Sequence, residues 1–152
     1  MKLSAEFKDK VFNACLHLLA DRVSTAKKAM MAAQEAANGE EKSSAGDIYE
    51  TSRAMGQRDR EMYARQLVEA QNELHKVERL NLEPINLIKI GSMVMANEII
   101  YFILSGIGKV TIETTNIMVI SKESPIAGAM LGKSINNEFV WNGNKMKIQE
   151  IV

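Results

Sequence analysis

Four carboxylates, Glu40, Glu41, Asp47 and Glu50, fall between residues 40 and 50, opposed only by Lys42. Carboxylate oxygens are hard donors, and Mg²⁺ is commonly held by one or two of them while keeping water or phosphate in its remaining positions. Two acids from this cluster, drawn from Glu40, Glu41 and Asp47, could therefore complete a metal site that another protein has half built. The flanks carry the opposite sign: Arg22, Lys27 and Lys28 before the cluster, and Arg53, Arg58, Arg60 and Arg65 after it. An acidic point behind a basic collar suits a hard cation at the point and nucleic-acid phosphate along the collar, with Lys27, Lys28, Arg53 and Arg58 nearest the point. A plainer reading is also open. Asp47 and Glu50 would favour a helix N-terminus through its dipole, and Glu40 and Glu41 would be solvated turn residues.

The elements that must position these acids are legible on either side. Residues 4–37 read as a helix capped by Ser4. Leu16, Val23, Met30 and Ala37 repeat every seven residues, with Phe12, Leu19, Ala26 and Ala33 as the companion series. Together they form a coiled-coil seam that narrows to alanine. The polar, glycine-containing stretch 38–46 breaks the pattern. A second helix follows over 47–80, with a seam of Tyr49, Tyr63, Ala70 and Val77 joined by Leu67 and Leu74, and with Arg53 and Arg60 on it where the apolar series thins. Two long helices joined by a short polar turn pack antiparallel. With roughly 33 residues each, the hairpin would extend about 50 Å at about 1.5 Å per residue.

The chain then changes character. Residues 1–80 hold 26 charged side chains and no proline, whereas residues 81–152 hold 12. The later part is rich in strand and turn formers. The expected organisation is α+β: a coiled-coil hairpin over 1–80 with its tip at about 38–50, and a small β-rich domain over 81–152. Within the latter, Ile99–Leu104 reads as a strand, at least one more is expected over 109–121, and Ser124-Pro125 opens a short helix as cap and first-turn proline. Asn142-Gly143-Asn144 between two apolar runs marks a hairpin.

The order of motifs resembles the Gre transcript-cleavage factors of bacteria. Ser124-Pro125-Ile126-Ala127-Gly128-Ala129-Met130-Leu131-Gly132-Lys133 is similar to the C-terminal signature of that family: Ser-Pro, an apolar residue, small residues, two apolar residues, then Gly-Lys. Gly91-Ser92-Met93-Val94 resembles the segment opening the first strand of the family's C-terminal domain, and Lys147-Ile148-Gln149-Glu150-Ile151 its closing strand. Gly39, the acids after it and Tyr49 sit where the family's hairpin carries its acidic tip. The resemblance implies an FKBP-like C-terminal domain that grips RNA polymerase, with Ser124, Pro125 and Ile126 as polymerase contacts. It implies a hairpin inserted through the secondary channel, near the nascent RNA. Tip acids Glu40, Glu41 and Asp47 would share the polymerase's catalytic Mg²⁺, so that the polymerase itself cuts backtracked RNA. The chain would be no enzyme alone, with no cofactor of its own and no small-molecule substrate. The tip departs from the family, which places Asp directly after Gly and Glu three residues later. Here Glu40 follows Gly39 and Ser43 stands three further on. One acid transfers, as Glu40 or Glu41, and Asp47 could replace the other. A channel-binding regulator without cleavage activity is the alternative.

Other features bound the answer. Equal numbers of acids and bases, 19 of each, argue against nucleic-acid binding driven by bulk charge. No apolar run is long enough for a membrane span and no secretory signal opens the chain, so a cytoplasmic location is expected. A single cysteine, Cys15, fits a reducing compartment and a small apolar role. His17 and His75 read as seam-edge residues, Met30 and Met31 as seam fillers, and Trp141 as packing across its hairpin. Gly106 and Gly108 are too few for a phosphate loop. Two further classes, a prolyl isomerase on an FKBP-like fold and a plain coiled-coil dimer, have less behind them: the former has only Tyr101, Phe102, Phe139 and Trp141 for an aromatic-lined site.

Overall fold

The computed structural model describes residues 2–41 and 46–152, and the side chains of all of these except residues 40, 41, 46–50 and 52. Helix α1 spans Ala5–Glu41 and α2 spans Gly46–Glu78. Strands β1 (Met93–Ala96), β2 (Ile99–Ile103), β3 (Gly108–Ile112) and β4 (Thr115–Ile120) follow, then the short helix α3 (Pro125–Met130), then β5 (Glu138–Trp141) and β6 (Asn144–Ile151). The α+β class expected from the sequence is therefore observed. The chain forms two compact units: His17–Lys76, and Met1–Leu16 together with Val77–Val152.

In the first of these units the heptad seam is real. Val23, Ala26, Met30 and Ala33 are half-buried and Leu19 and Ala37 are buried, while the positions between them are mostly exposed. On α2 the matching series is Gly56, Arg60, Tyr63, Leu67, Ala70 and Leu74, all half-buried at alternating steps of four and three. Met30 and Gln34 of α1 share one groove with Gln57, Arg60, Glu61 and Ala64 of α2, so the two helices lie side by side. The side chain of Tyr49, also assigned to the seam, lies outside the described residues. Of the two arginines assigned to it, Arg60 is half-buried and Arg53 is exposed. A guanidinium with little apolar surface around it keeps its head in water.

The break expected at residues 38–46 begins later, since α1 continues through Asn38 and Gly39 to Glu41. Glycine in a helix costs only about 1 kcal/mol relative to alanine, and the preceding turns hold Ala32, Ala33, Ala36 and Ala37, the best helix formers. A Cβ at Gly39 would meet nothing within 4 Å, so no packing demand breaks the helix there.

The second unit is built on a six-stranded sheet in the order β3-β4-β2-β1-β6-β5. All neighbours are antiparallel except β2 and β4, which run parallel. Alternation along β1 and β2 sends Val94, Ala96, Tyr101 and Ile103 to the face covered by α3, where they join Ile126, Ala127, Met130, Phe139, Met146 and Ile148 in one core. The opposite face is equally dry, with Met93, Phe102 and Ile117 at 0% exposure. Within this unit the other buried apolar stripe is Leu3, Val11 and Cys15, at the base of α1, with Val77. A sheet with two apolar faces needs a cover on each, and the base of α1 belongs to the same compact unit as the sheet. Leu3 N–H donates to the Glu150 carboxylate at 3.0 Å, tying the chain's start to β6.

All three two-residue hairpin turns use positive φ, the one between β3 and β4 at Glu113 (φ 56°). Asn142 and Gly143 (φ 50° and 76°) form the Asn-Gly turn expected between β5 and β6, and Asn97 and Glu98 (φ 48° and 64°) form the one between β1 and β2. The β1–β2 turn is held by β6. Register against β1 shifts between Met95↔Glu150 and Ala96↔Ile148, leaving Gln149 as the extra residue of a bulge. Gln149 accepts from Glu98 N–H at 2.8 Å and donates to the Glu98 carboxylate at 2.6 Å, while Lys147 N–H donates to Asn97 Oδ1 at 3.0 Å.

Candidate functional site

The segment 124–133 is the best-defined of the sequence-derived sites, and each residue type in it has a local reason. Ser124 is extended (φ −66°, ψ 146°), its Oγ accepts from Ala127 N–H, and Pro125 occupies the first turn of α3. These are the expected cap and first-turn roles. The Ser124 carbonyl accepts from Gly128 N–H at 3.0 Å. Ile126, Ala127 and Met130 enter the core. Gly132 has φ +81°, a conformation that strains side chains, and its N–H donates to Ile88 O at 2.8 Å while Ile88 N–H donates to Lys133 O at 2.8 Å. The reciprocal pair fixes the end of α3 to the segment that leads into β1.

What remains for a partner is small. Pro125 and Gly128 are exposed, Leu131 is exposed at 37%, and Lys133 is half-buried. Ser124 and Ile126, assigned to partner contact with Pro125, serve the fold: Ser124 as cap and Ile126 as core.

The basic collar is presented to solvent. Lys27, Lys28, Arg53 and Arg58 are all exposed, as a phosphate-facing surface requires. Glu40 and Glu41 are the last two residues of α1 and Asp47 is the second residue of α2. Their side chains, the expected metal and catalytic groups, lie outside the described residues. Among the described residues no group of three His, Cys, Asp or Glu is placed to hold a metal ion. His17 and His75 are exposed, and Trp141 is half-buried against the sheet core. Burial pushes the Cys15 thiol up to about 11, the inert rather than the reactive direction.

Sequence reasoning missed Lys8. Its side chain is almost wholly covered, at 4% exposure, and Nζ donates to the Leu82 carbonyl at 2.6 Å. Burial, with the nearby Lys89 cation second, lowers its pKa, against an opposing pull from Asp9. Lys89 Nζ reaches the adjacent Asn81 carbonyl at 3.5 Å. Gly91, at φ +93°, presses on the same two residues: a Cβ there would sit 3.1 Å from Asn81 O and 3.2 Å from Leu82 Cδ2. Two ammonium groups and one glycine thus clasp residues 81–82 where α2 gives way to the sheet. The available signal was Lys8's place one heptad before Cys15 and three residues before Val11, on a stripe otherwise apolar.

No family model matches the chain, and no curated protein matches it. Among solved structures, the GreA factor homolog 1 (Gfh1) protein of Thermus thermophilus aligns at 14% identity over 94% of this chain and 93% of that one, with a TM-score of 0.35. A second structure, of the transcription factor Gfh1, aligns at 16% identity over 93% and 91%, with a TM-score of 0.34. Among the described residues no helix is long and apolar enough to cross a membrane.

Proposed function

We propose that this chain is a Gre-type regulator of RNA polymerase, docking through its sheet domain and placing its two-helix hairpin in the secondary channel. The observation that carries the reading is the 124–133 segment. The motif similar to the Gre signature is a capped helix ending in a backbone bridge to Ile88, within a sheet domain that follows two long helices. That chain order is the one the resemblance implies. Pro125 and Leu131 form the exposed apolar side of the segment, and the exposed Lys27, Lys28, Arg53 and Arg58 face RNA phosphate.

The tip acids bear on the chemistry. Glu40 and Glu41 close α1 and Asp47 stands near the start of α2, and carboxylates as a residue type suit a hard divalent cation such as the polymerase's Mg²⁺. Such a cation orients water and stabilises charge on phosphate. The protein's own part is to bring carboxylates to it, with hydrolysis performed by the polymerase. The second reading, channel binding without cleavage, is favoured by Ser43, which stands where the family pattern has glutamate.

The test is a backtracked elongation complex formed with the polymerase of the same cell. Release of short 3′ RNA fragments on adding the protein, lost on joint replacement of Glu40, Glu41 and Asp47 by neutral residues, supports the cleavage reading. Co-sedimentation with polymerase but unchanged cleavage supports the second. Failure to co-sediment removes both.

A further inference from the structure

The chain has ten methionines, and the fold sorts them. In the sheet unit Met93, Met95, Met130 and Met146 are buried and Met118 is half-buried. Among the described residues the exposed ones are Met31, Met55 and Met62, at 50%, 61% and 38%, and all three belong to the unit His17–Lys76. The sequence pattern puts Met31 in the seam with Met30. The structure turns Met31 outward and leaves Met30 as the seam residue, half-buried on an open groove of about 470 Å³. The free thiol, Cys15, is buried. The accessible sulfur of the described residues is therefore all thioether and all on the two long helices. Folding does not call for it there, since glutamine or lysine suits an exposed helix position equally well.

We propose that Met31, Met55 and Met62 are a reversible oxidation site that spares Met30. A thioether takes oxygen where an oxidant reaches it, and methionine sulfoxide is returned to methionine by dedicated reductases. The oxidant is of the hypohalous-acid class. Hypochlorous acid gives one oxygen to the sulfur, which loses two electrons, and chloride and a proton leave. At an exposed position the new sulfoxide faces water and removes no packing. At Met30 it would set a polar group into a seam held together by apolar burial. Met31 adjoins Met30 in sequence, and Met62 follows Glu61, a wall of the groove that Met30 lines. Exposed thioethers on both helices thus flank the one that packs, and an oxidant in limited supply is consumed on them first. The inference does not rest on polymerase being the partner.

The test treats the full chain with hypochlorous acid at one molar equivalent per exposed methionine, followed by peptide mass mapping and thermal melting. Met31, Met55 and Met62 should carry the added oxygen, and the melting temperature should stay that of the untreated chain. Met30 should lag them by about tenfold in rate, about 1.4 kcal/mol in barrier. The variant M31Q/M55Q/M62Q should melt like the parent before treatment. After the same dose it should carry oxygen on Met30 and melt a few degrees lower. Adding M30L to that variant should restore the melting temperature of the treated parent. Methionine sulfoxide reductase with a thiol reductant should return the treated parent to its starting mass. Oxidation of Met30 in the parent as fast as of Met31 overturns the inference. So does an M31Q/M55Q/M62Q variant whose melting is unmoved by the dose, or one already less stable than the parent before it. Sulfoxides at the exposed positions that the reductase leaves in place overturn it as well.

Discussion

The Lys8 ammonium and the Leu82 carbonyl meet at 2.6 Å across 74 residues of chain, in a place nearly closed to water. The bond joins the second turn of α1 to the strap that follows α2. It is a charged donor on a neutral acceptor, and burial, with the Lys89 cation second, lowers the pKa of Lys8. Removing the donor takes the ammonium partner from the carbonyl of a half-buried residue. Lys8→Met, which keeps the stem, should lower stability by about 1–2 kcal/mol at neutral pH, and Lys8→Ala by more, because packing is lost as well. The pH dependence has a definite sign. A lysine whose folded pKa lies below its ordinary value of 10.5 binds fewer protons folded than unfolded between the two values. Its contribution to stability therefore grows as pH rises through the folded pKa and is complete above about 10.5. The deficit of Lys8→Met, read by urea denaturation, should widen over that window.

Gly91 lies on the other side of the same strap. Alanine there would need φ near +93° and would bring Cβ to 3.1 Å from Asn81 O, a backbone atom that cannot swing aside. The conformational strain alone is about 1–2 kcal/mol, and the contact adds to it. Gly91→Ala should destabilise by about 2–4 kcal/mol, whereas Gly128→Ala, with open space around its Cβ in α3, should be neutral or slightly stabilising. Melting of the two variants side by side separates the effects. Equal melting temperatures would remove Gly91 from the clasp.

Cys15 sets a second alkaline dependence, opposite in sign to that of Lys8. Its thiol ionises at about 11 folded against 9.0 ordinarily, because burial disfavours the thiolate. Between those values the unfolded chain has released a proton that the folded chain keeps, so stability falls with rising pH. Two units correspond to about 2–3 kcal/mol at most. Cys15→Ala should cost about 1 kcal/mol at pH 7 through lost packing and should abolish the pH 9–11 slope due to this group. Tyr101, also raised by burial, pulls in the same direction from about pH 10 upward, so the comparison is between variants at each pH.

Ser124 and Pro125 show how much a sequence can say. Serine before proline before small apolar residues is a helix start for reasons internal to four residues, and α3 begins there. Asn142-Gly143 is local in the same way, since both residues tolerate positive φ. The heptads were legible because periodicity over eight seam positions on α1 leaves little alternative. The Lys8–Leu82 bond was not, because nothing near residue 8 announces what residue 82 does. A composition shift marks where α2 stops; it is blind to residues 1–16 packing with the sheet. Gly39 alone signals a helix break, but the alanines before it carry α1 on to Glu41. At the candidate site, charge pattern gave the collar, but no pattern distinguishes a serine that caps from one that touches a partner. Ser124→Ala measures the first role: it should cost about 1 kcal/mol, with Ser124→Gly costing only a few tenths, by thermal melting.

Arg60 is the residue where stability and function are expected to part. It holds a seam position on α2, half-buried, on a groove with Met30, Gln34, Gln57, Glu61 and Ala64. Among the described residues no ion pair includes it. A cation at a seam position forgoes the apolar burial that leucine would bring there. Arg60→Leu should therefore stabilise the chain by roughly 1 kcal/mol, a rise of a few degrees in melting temperature. Arg60→Gln, without the apolar gain, should change little. If the groove only separates two helices, polymerase co-sedimentation will follow stability and be unharmed in both variants. If the guanidinium contacts the nascent RNA or the channel wall, Arg60→Leu will melt higher and yet bind polymerase more weakly. A melt no higher than that of the parent would show that Arg60 already has a partner that offsets its half-burial.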